Sequence, residues 1–366
     1  MVLSINSLSP KISLKRGLFL FVFAFIFPLF YATTVFANEE PTETHKKFDA
    51  GKLILEHISD AHDWHLWDWA GHPVSIPLPI IIYDTNRGLS FFSSSRFEHG
   101  HASYDGYAIV ENHIVAANED GTKNEEASKA IFDFSITKNV TSLMISIAIM
   151  MFIFISVART YTRNPEQAPR GLQSLLEPII VFVRDDIAKA SIGEKKYQRY
   201  MPFLLTVFFF IWINNLLGLV PIFPGGVNLT GNISITFALA VMTFVITLIS
   251  SNKNYWRHIL AMPGVPTGIL FILTPIEIMG MFLKPFVLMI RLFANITAGH
   301  IIALSFFSLI FIFGEMHWAA GYGVSLLSVA FTVFMTMLEL LVAFLQAYVF
   351  ALLSAMYFGM ATEESH

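Results

Sequence analysis

Several polar or ionisable side chains lie within the last two long apolar stretches of the chain. They are Glu277, Lys284, Arg291, Asn295, His300, Glu339 and Gln346. Polar residues inside membrane helices are rare, and they usually face a bundle interior or a water-filled cavity where they have a function. Arg291 is the most unusual of them, because a guanidinium stays protonated in proteins and the surrounding run "PFVLMIRLFANITAGH" contains no acidic residue.

Helical geometry sorts the residues of the first stretch. At 100° per residue, Glu277 and Arg291 share a face and lie about 21 Å apart. Asn295 follows Arg291 by one turn, whereas His300 lies about 180° away from it. We therefore expect the arginine and the histidine to face different neighbours.

This arrangement suits a proton path that is interrupted by a fixed positive charge. His300 can carry protons near neutral pH, and a membrane-buried carboxyl such as Glu339 can do likewise. Arg291 cannot relay a proton, but it can attract the carboxylate of a partner and keep it ionised. The plainer alternatives are that Arg291 extends to the membrane interface and that His300 and Glu339 only hydrogen-bond within the bundle.

The remaining polar residues have simpler alternatives. Glu339 and Gln346 are one heptad apart, so they share a face of their helix. Gln346 and Asn295 could line the path or could join helices by hydrogen bonds. Lys284 precedes Pro285, and we interpret it as an interfacial anchor.

The composition identifies the class of protein that must position these residues. Of the 366 residues, 14% are charged and 55% are hydrophobic, whereas soluble domains are about 25% charged. Several apolar runs reach the roughly 20 residues that cross a bilayer. We predict an all-α polytopic membrane protein. The net charge of −4 argues against a nucleic-acid partner, and the absence of cysteine excludes disulfides and cysteine-ligated metal.

The first 134 residues are predicted to comprise a signal peptide and an extension that lies outside the cytoplasm. Residues 1–37 read as a signal peptide, with a basic start, an apolar run and "VFA" before the cleavage site; an uncleaved anchor helix is the alternative. Residues 38–134 read as a small β-rich extension, with short strands in 72–95 and a hairpin in 104–122.

The extension contains eight of the twelve histidines. A zinc site formed by His57, His62, His65 and His72 is conceivable, but their spacing matches no standard ligand pattern. The neighbouring tryptophans favour a segment at the membrane interface instead. We therefore predict no metal site and no cofactor.

Residues 135–366 are predicted to form the membrane domain, with about five spans. Spans at 140–158, 202–223 and 233–250 surround an amphipathic cytoplasmic segment at 168–200. Two longer stretches, 266–313 and 324–360, flank a loop and exceed one perpendicular crossing. We expect strongly tilted helices; a helix lying partly in the membrane plane against a partner is the alternative. Positive residues after the first span and near Lys253 indicate the cytoplasm, which places the C-terminus on that side.

In its last two helices the chain resembles subunit a of the F-type ATP synthase. "RLFANITAGH" matches the family's arginine segment, and "FLQAYVF" its glutamine segment. "GLQSLLEPIIVFVRD" is similar to its amphipathic hairpin, and "NNLLGLVP" to its third-helix asparagine motif. The resemblance runs from about Ile136 to the C-terminus, and it implies a proton-conducting stator subunit in a bacterial inner membrane.

The resemblance also implies a role for each matching residue. Arg291 would separate two aqueous half-channels and face the carboxylate of the rotating c-ring. The half-channel open to the outside would contain His300, Glu339 and Asn215. Some members of the family carry the acid on the first of the last two helices and the histidine on the second, and here the two residues are exchanged. Gln346 would sit close to the arginine, together with Asn295 on the arginine's own helix.

Two further positions are compared with the family pattern, one in the half-channel open to the cytoplasm and one in the half-channel open to the outside. Glu277 would belong to the half-channel open to the cytoplasm. Gly218 stands where the family often has an acidic residue, so this part of the outer path departs from the pattern.

The implied partners are the c-ring, subunit b of the stator stalk, the other F-type subunits and the lipid bilayer. No G-x-x-x-x-G-K-[ST] loop occurs, so nucleotide chemistry would happen on other subunits and the chain is not an enzyme on its own. A stand-alone proton or sodium channel or transporter is the alternative, and the residues leave H⁺ or Na⁺ coupling open.

Overall fold

A computed structural model describes residues 48–69, 72–100, 102–118, 122–163, 168–220, 223–262 and 264–363. This part of the chain belongs to one compact unit that begins at Phe48. The predicted signal peptide, residues 1–37, lies outside the described residues.

The extension begins with a helix and continues as short antiparallel strands. Its elements are α1 (Ala50–Ile58), β1 (Asp63–Trp69), β2 (His72–Pro77), β3 (Pro79–Asp84), β4 (Gly88–Ser93), β5 (Tyr107–Val110), β6 (His113–Ala116), α2 (Glu125–Ser128) and β7 (Ile131–Asp133). The predicted strands and the hairpin are present, so the β-rich interpretation is confirmed. Helix α1 was not predicted.

The strands of the extension surround a small apolar core. β3 pairs with β4 on one side and β7 on the other, and β1–β2 and β5–β6 form separate hairpins. Alternation along β3 buries Ile80 and Ile82 on one face, as expected for a strand with one face inside. They pack with Phe97, Tyr107 and Ile114.

Five helices in the described residues are long and apolar enough to cross a membrane. The membrane domain consists of α3 (Lys138–Arg163), α4 (Leu172–Phe182), a π-helical turn (Val183–Lys189), α5 (Ala190–Ile192), α6 (Tyr197–Leu219), α7 (Ile233–Ser250), α8 (Lys253–Leu260), α9 (Thr267–Met316) and α10 (Trp318–Thr362). The spans are α3, α6, α7, α9 and α10, which confirms the predicted polytopic class.

The centre of the bundle is the packing of α6 against α10. Helix α10 presents a row of alanines four residues apart, and all are buried: Ala343, Ala347, Ala351 and Ala355. Small residues at this spacing let two membrane helices approach closely. Aromatic side chains of α6, including Phe208 and Trp212, pack around Phe344 beside this row.

The last two helices are longer than predicted. The prediction of a loop at 314–323 is wrong, because α9 continues to Met316 and α10 begins at Trp318. Only His317 between them is extended, with φ −164°. Gly314 and Gly321 lie in contact across this sharp turn, so the glycines that suggested a loop allow two helices to pack closely. At 1.5 Å per residue each helix far exceeds the bilayer core of about 30 Å and must be tilted.

The amphipathic segment forms one helical run from Leu172 to Ile192. It contains the π-helical turn and ends at Gly193, whose φ of 90° favours glycine. Near its end, a backbone carbonyl of Ser191 lies against Gly359 of α10, so a side chain at position 359 would collide with it. The segment is therefore tied to the C-terminal end of α10.

Contacts at opposite ends of the bundle define two sides. One end is what we call the C-terminal side. There the Lys196 ammonium donates to the Thr362 carbonyl, and the backbone N–H of Asn252 donates to the carbonyl of Ala361. On the extension side, Trp64 of β1 packs against Phe223 after α6, with ring centroids 5.0 Å apart. The described residues of the extension therefore contact the bundle at the end opposite to the C-terminal side.

Candidate proton path

Arg291 projects from a face of α9 that the described residues leave open. Leu288 and Leu292, one turn apart, are buried against the bundle, whereas Arg291 and Asn295 are both exposed. Among the described residues none forms an ion pair or hydrogen bond with the guanidinium. The arginine and Asn295 thus share an uncovered face of the helix.

His300 faces the neighbouring helix α6 at Gly218. A methyl group added at Gly218 would lie 3.6 Å from Nε2 of His300 and 3.3 Å from the carbonyl oxygen of Val227. The glycine provides the space that the imidazole occupies. A longer acidic side chain at position 218 would compete with His300 for this space.

Glu339 reaches α9 one residue before the histidine. A methyl group on Gly299 would lie 2.5 Å from Oε1 of Glu339, which is closer than real contacts allow. Oε1 is buried and has no hydrogen-bond partner among the described residues. Because buried polar atoms are normally paired, this oxygen is available to a proton or a water.

Asn215 is held in place by two buried hydrogen bonds. Its side-chain oxygen accepts from the Thr230 hydroxyl at 2.5 Å, and its amide nitrogen donates to the Ala343 carbonyl at 3.3 Å. A further hydrogen bond runs from the Thr297 hydroxyl to the Gly231 carbonyl at 3.4 Å. Asn215 therefore ties α6 to α10 and to the turn before α7 on the extension side.

Gln346 is buried on α10, one helical turn beyond Ala343. It makes no hydrogen bond with any residue in the described part of the chain. Its amide is thus not committed to a structural contact, in contrast to that of Asn215.

Glu277 lies near the start of α9, on the C-terminal side of the bundle, and it is half-buried. It is within electrostatic range of Tyr255 on α8, outside the spans. Burial raises the pKa of Tyr255, and the negative charge of Glu277 raises it further. Neutral Tyr255 therefore remains a hydrogen-bonding group beside this carboxylate.

Two further residues lie between Glu277 and Arg291. The Lys284 ammonium is 5.8 Å from the centre of the Tyr357 ring, a cation–π contact. Tyr357 is also within electrostatic range of Arg291. The sequence-based prediction missed Tyr357, although this residue follows Gln346 by eleven positions and so shares its face of the helix.

The histidines in the described part of the extension do not gather around a metal position. His62 pairs with Asp133 at 3.0 Å, and His99 with Asp63 at 3.2 Å. In the part of the chain that the structure describes, no group of three or more histidine, aspartate or glutamate residues could hold a metal ion.

Comparison with known proteins identifies the family. The sequence profile described as ATP synthase A chain matches residues 140–359. This range covers more than half of the chain and contains every candidate residue of the proton path.

The chain belongs to the ATP synthase A chain family. Relatives named ATP synthase subunit a include one from Chloroherpeton thalassium, 43% identical over 242 residues that cover 64% of this chain and 69% of the relative. Another from Myxococcus xanthus is 42% identical over 241 residues, covering 64% and 75%. One named ATP synthase subunit a 2, from Chlorobium luteolum, is 41% identical over 262 residues, covering 69% and 74%. Residues 53–134 match a separate domain of unknown function, DUF8433.

Family membership confirms the resemblance seen in the sequence. The chain is a multi-pass membrane subunit of an F-type ATP synthase, with a proton-conducting stator role and no catalytic site of its own. The stand-alone channel thereby loses its support. The roles of individual residues remain predictions, which the geometry above now constrains.

Proposed function

We propose that this subunit forms two half-channels that meet at Arg291. The observation that carries the proposal is the placement of titratable groups on either side of an unpaired, exposed arginine. Along α9, His300 lies about 14 Å from Arg291 toward the extension side, and Glu277 about 21 Å away toward the C-terminal side. The arginine therefore stands between two groups that can each exchange protons.

The outer half-channel is assigned to the extension side. Glu339 of α10 approaches α9 at Gly299, the residue before His300, and Asn215 joins α6 to α10 by a hydrogen bond. The unpaired Oε1 of Glu339 and the imidazole of His300 supply two proton acceptors next to each other. Protons would move between them and the exposed face of α9.

The inner half-channel is assigned to Glu277. Tyr255 beside it and the Lys284–Tyr357 pair line a crevice between α7, α8, α9 and α10. Neither Glu277 nor Arg291 lines this crevice, but Lys284 lies midway between the two along α9. Lys284, interpreted from the sequence as an anchor, thus contributes a positive charge to this path.

The orientation follows from the positive residues. Lys195, Lys196 and Arg199 lie at the start of α6, and Lys253 and Arg257 on α8, all on the C-terminal side. Positive residues favour the cytoplasm. We therefore place this side in the cytoplasm of a bacterial cell, with the extension outside the inner membrane.

The partner on the open face of α9 is proposed to be the c-ring, with subunit b among the other partners of the stator. A proton from the outer half-channel neutralises a ring carboxylate, because a charged carboxylate costs several kcal/mol in lipid. After almost a full turn the carboxyl loses its proton toward Glu277. The Arg291 charge favours the ionised form and keeps the two half-channels from joining. Asn295 on the same face is positioned to hydrogen-bond the visiting carboxyl, and the family resemblance gives the buried Gln346 a place close to Arg291.

The test is Arg291→Ala in the whole complex reconstituted in vesicles. We expect proton-driven ATP synthesis to be lost. Arg159→Ala is the matched control, because it removes an arginine near the end of α3 that lies away from the path, and it should retain synthesis. Retention of proton-driven synthesis by the Arg291 variant would overturn the proposal. Repeating the assay with and without sodium decides between H⁺ and Na⁺ coupling.

A further inference from the structure

Helix α1 of the extension packs against the outer half of α9. At its start, the Phe48 N–H donates to Oε1 of Glu315 at 2.8 Å, and the Phe48 and Phe311 rings lie 5.1 Å apart. Toward its end, His57 comes within electrostatic range of His300. The helix therefore extends from the outer end of α9 to the level of the proposed half-channel.

The position of His57 is fixed by contacts with the first turn of α3. The Lys138 ammonium donates to the carbonyl of Ser59 at 2.9 Å and to that of His57 at 3.4 Å. The Asp60 carboxylate accepts from the Asn139 N–H at 3.0 Å and so caps α3. His57 is thus held against the membrane domain by hydrogen bonds that its own carbonyl, the Ser59 carbonyl and the Asp60 carboxylate accept from α3.

His57 has the surroundings of a proton carrier. Its side chain keeps an exposed surface, and the protein packed on its other side lowers its pKa, with the Lys138 charge adding to this effect. Neutral imidazole can accept a proton from water and release it again. The charge that faces His57 is that of Lys138 on α3, which Asp60 and Asp63 face in turn, and the charge of a protonated His57 acts on His300 of α9.

We propose that the extension completes the outer half-channel and that His57 is its first proton-relaying residue. His57 takes a proton from the outside water on one ring nitrogen and releases a proton toward His300, directly or through water, so that it returns to the neutral form. This inference rests on the proposed function, because it needs His300 to belong to the outer half-channel. It gives a role to a segment that lies within the match to a domain of unknown function.

The test uses the whole complex in vesicles whose outer half-channels face a medium of controlled pH. His57→Gln keeps a polar side chain of similar size but removes the titration. We expect ATP synthesis to fall about threefold to tenfold, which is less than the 10²–10⁴ typical of a reacting acid or base because water can partly replace an outer relay. The loss should increase as the pH of that medium rises, and imidazole added there should restore the rate.

Controls separate this role from a structural one. His113→Ala removes an exposed imidazole from β6 of the same extension and should leave synthesis unchanged. Wild-type rates for His57→Gln and His57→Ala at every pH would overturn the inference, as would a loss that is independent of pH and insensitive to imidazole. Either result leaves the Arg291→Ala test of the proposed function unaffected, so the two failures are distinguishable.

Discussion

Gly218 of α6 lies directly against the imidazole of His300 on α9, and a methyl group on the glycine would be 3.6 Å from Nε2. The titratable group of this pair is thus on α9, and α6 contributes a residue without a side chain. An acidic residue on α6 would place a charge where this chain has the edge of a histidine ring.

Enlarging residue 218 should displace the histidine. Gly218→Ala adds a methyl group at ordinary contact distance from Nε2, and we expect a small effect on ATP synthesis. Gly218→Leu cannot fit beside His300, and we expect a large loss of synthesis in vesicles with the complex still assembled. Equal rates for the leucine variant and the wild type would contradict this placement of His300.

A second prediction concerns Gly299 and Glu339. Gly299→Ala places a methyl group 2.5 Å from the position of Oε1, and such overpacking typically costs about 1–3 kcal/mol. We expect proton conduction through the membrane sector to fall because the carboxyl is pushed aside.

The compensating variant is Glu339→Asp. Its shorter side chain leaves room for the methyl group, so Gly299→Ala/Glu339→Asp should conduct better than Gly299→Ala alone. Passive proton uptake by vesicles stripped of the catalytic sector measures this. A double variant no better than either single variant would show that the two residues do not share this contact.

Asn215 offers a test of stability that is separate from proton flow. Asn215→Leu leaves the Thr230 hydroxyl and the Ala343 carbonyl without their buried partner, at a typical cost of about 1–3 kcal/mol. We expect a lower unfolding temperature of the purified complex in detergent. Asn295→Leu, on the exposed face, is the matched control and should shift the unfolding temperature far less.

A double-mutant cycle sharpens this test. If Thr230→Val and Asn215→Leu act through one hydrogen bond, their combined effect is smaller than the sum of the two. Additive effects would mean that the two side chains stabilise the bundle independently.

Much of the membrane domain could be predicted because its signals are local. An apolar run of sufficient length must cross the bilayer, whatever it packs against, and the spacing of Arg291 and Asn295 places them on one face. The turn at His317 could not be predicted in this way. Gly314 and Gly321 are typical of a loop, but both belong to helices that pack closely where these two glycines meet, and this contact is not visible in the local sequence.

Helix α1 was missed for a related physical reason. Asp49 accepts a hydrogen bond from the Lys52 N–H as an N-cap, which is a local signal. A nine-residue helix is nevertheless marginal on its own, and Leu53 and Leu55 remain exposed on it. Its stability depends on contacts at Phe48 and around His57 with α9 and α3, and no pattern within the segment encodes them.

The pairing of His62 with Asp133 predicts a pH dependence for the extension. Burial opposes the charge of Asp133, but hydrogen bonds from His62 and Ser135 outweigh it and lower the pKa of this carboxyl. A depressed folded-state pKa contributes stability above the unfolded value of about 3.9, and this contribution is lost as the pH falls through the folded value. Asp133→Asn has no titration at this position. Thermal unfolding of the extension within the complex is compared for wild type and variant from about pH 6 downward. We expect the difference in their unfolding temperatures to shrink below about pH 4. A constant difference would show that the Asp133 charge does not stabilise the fold.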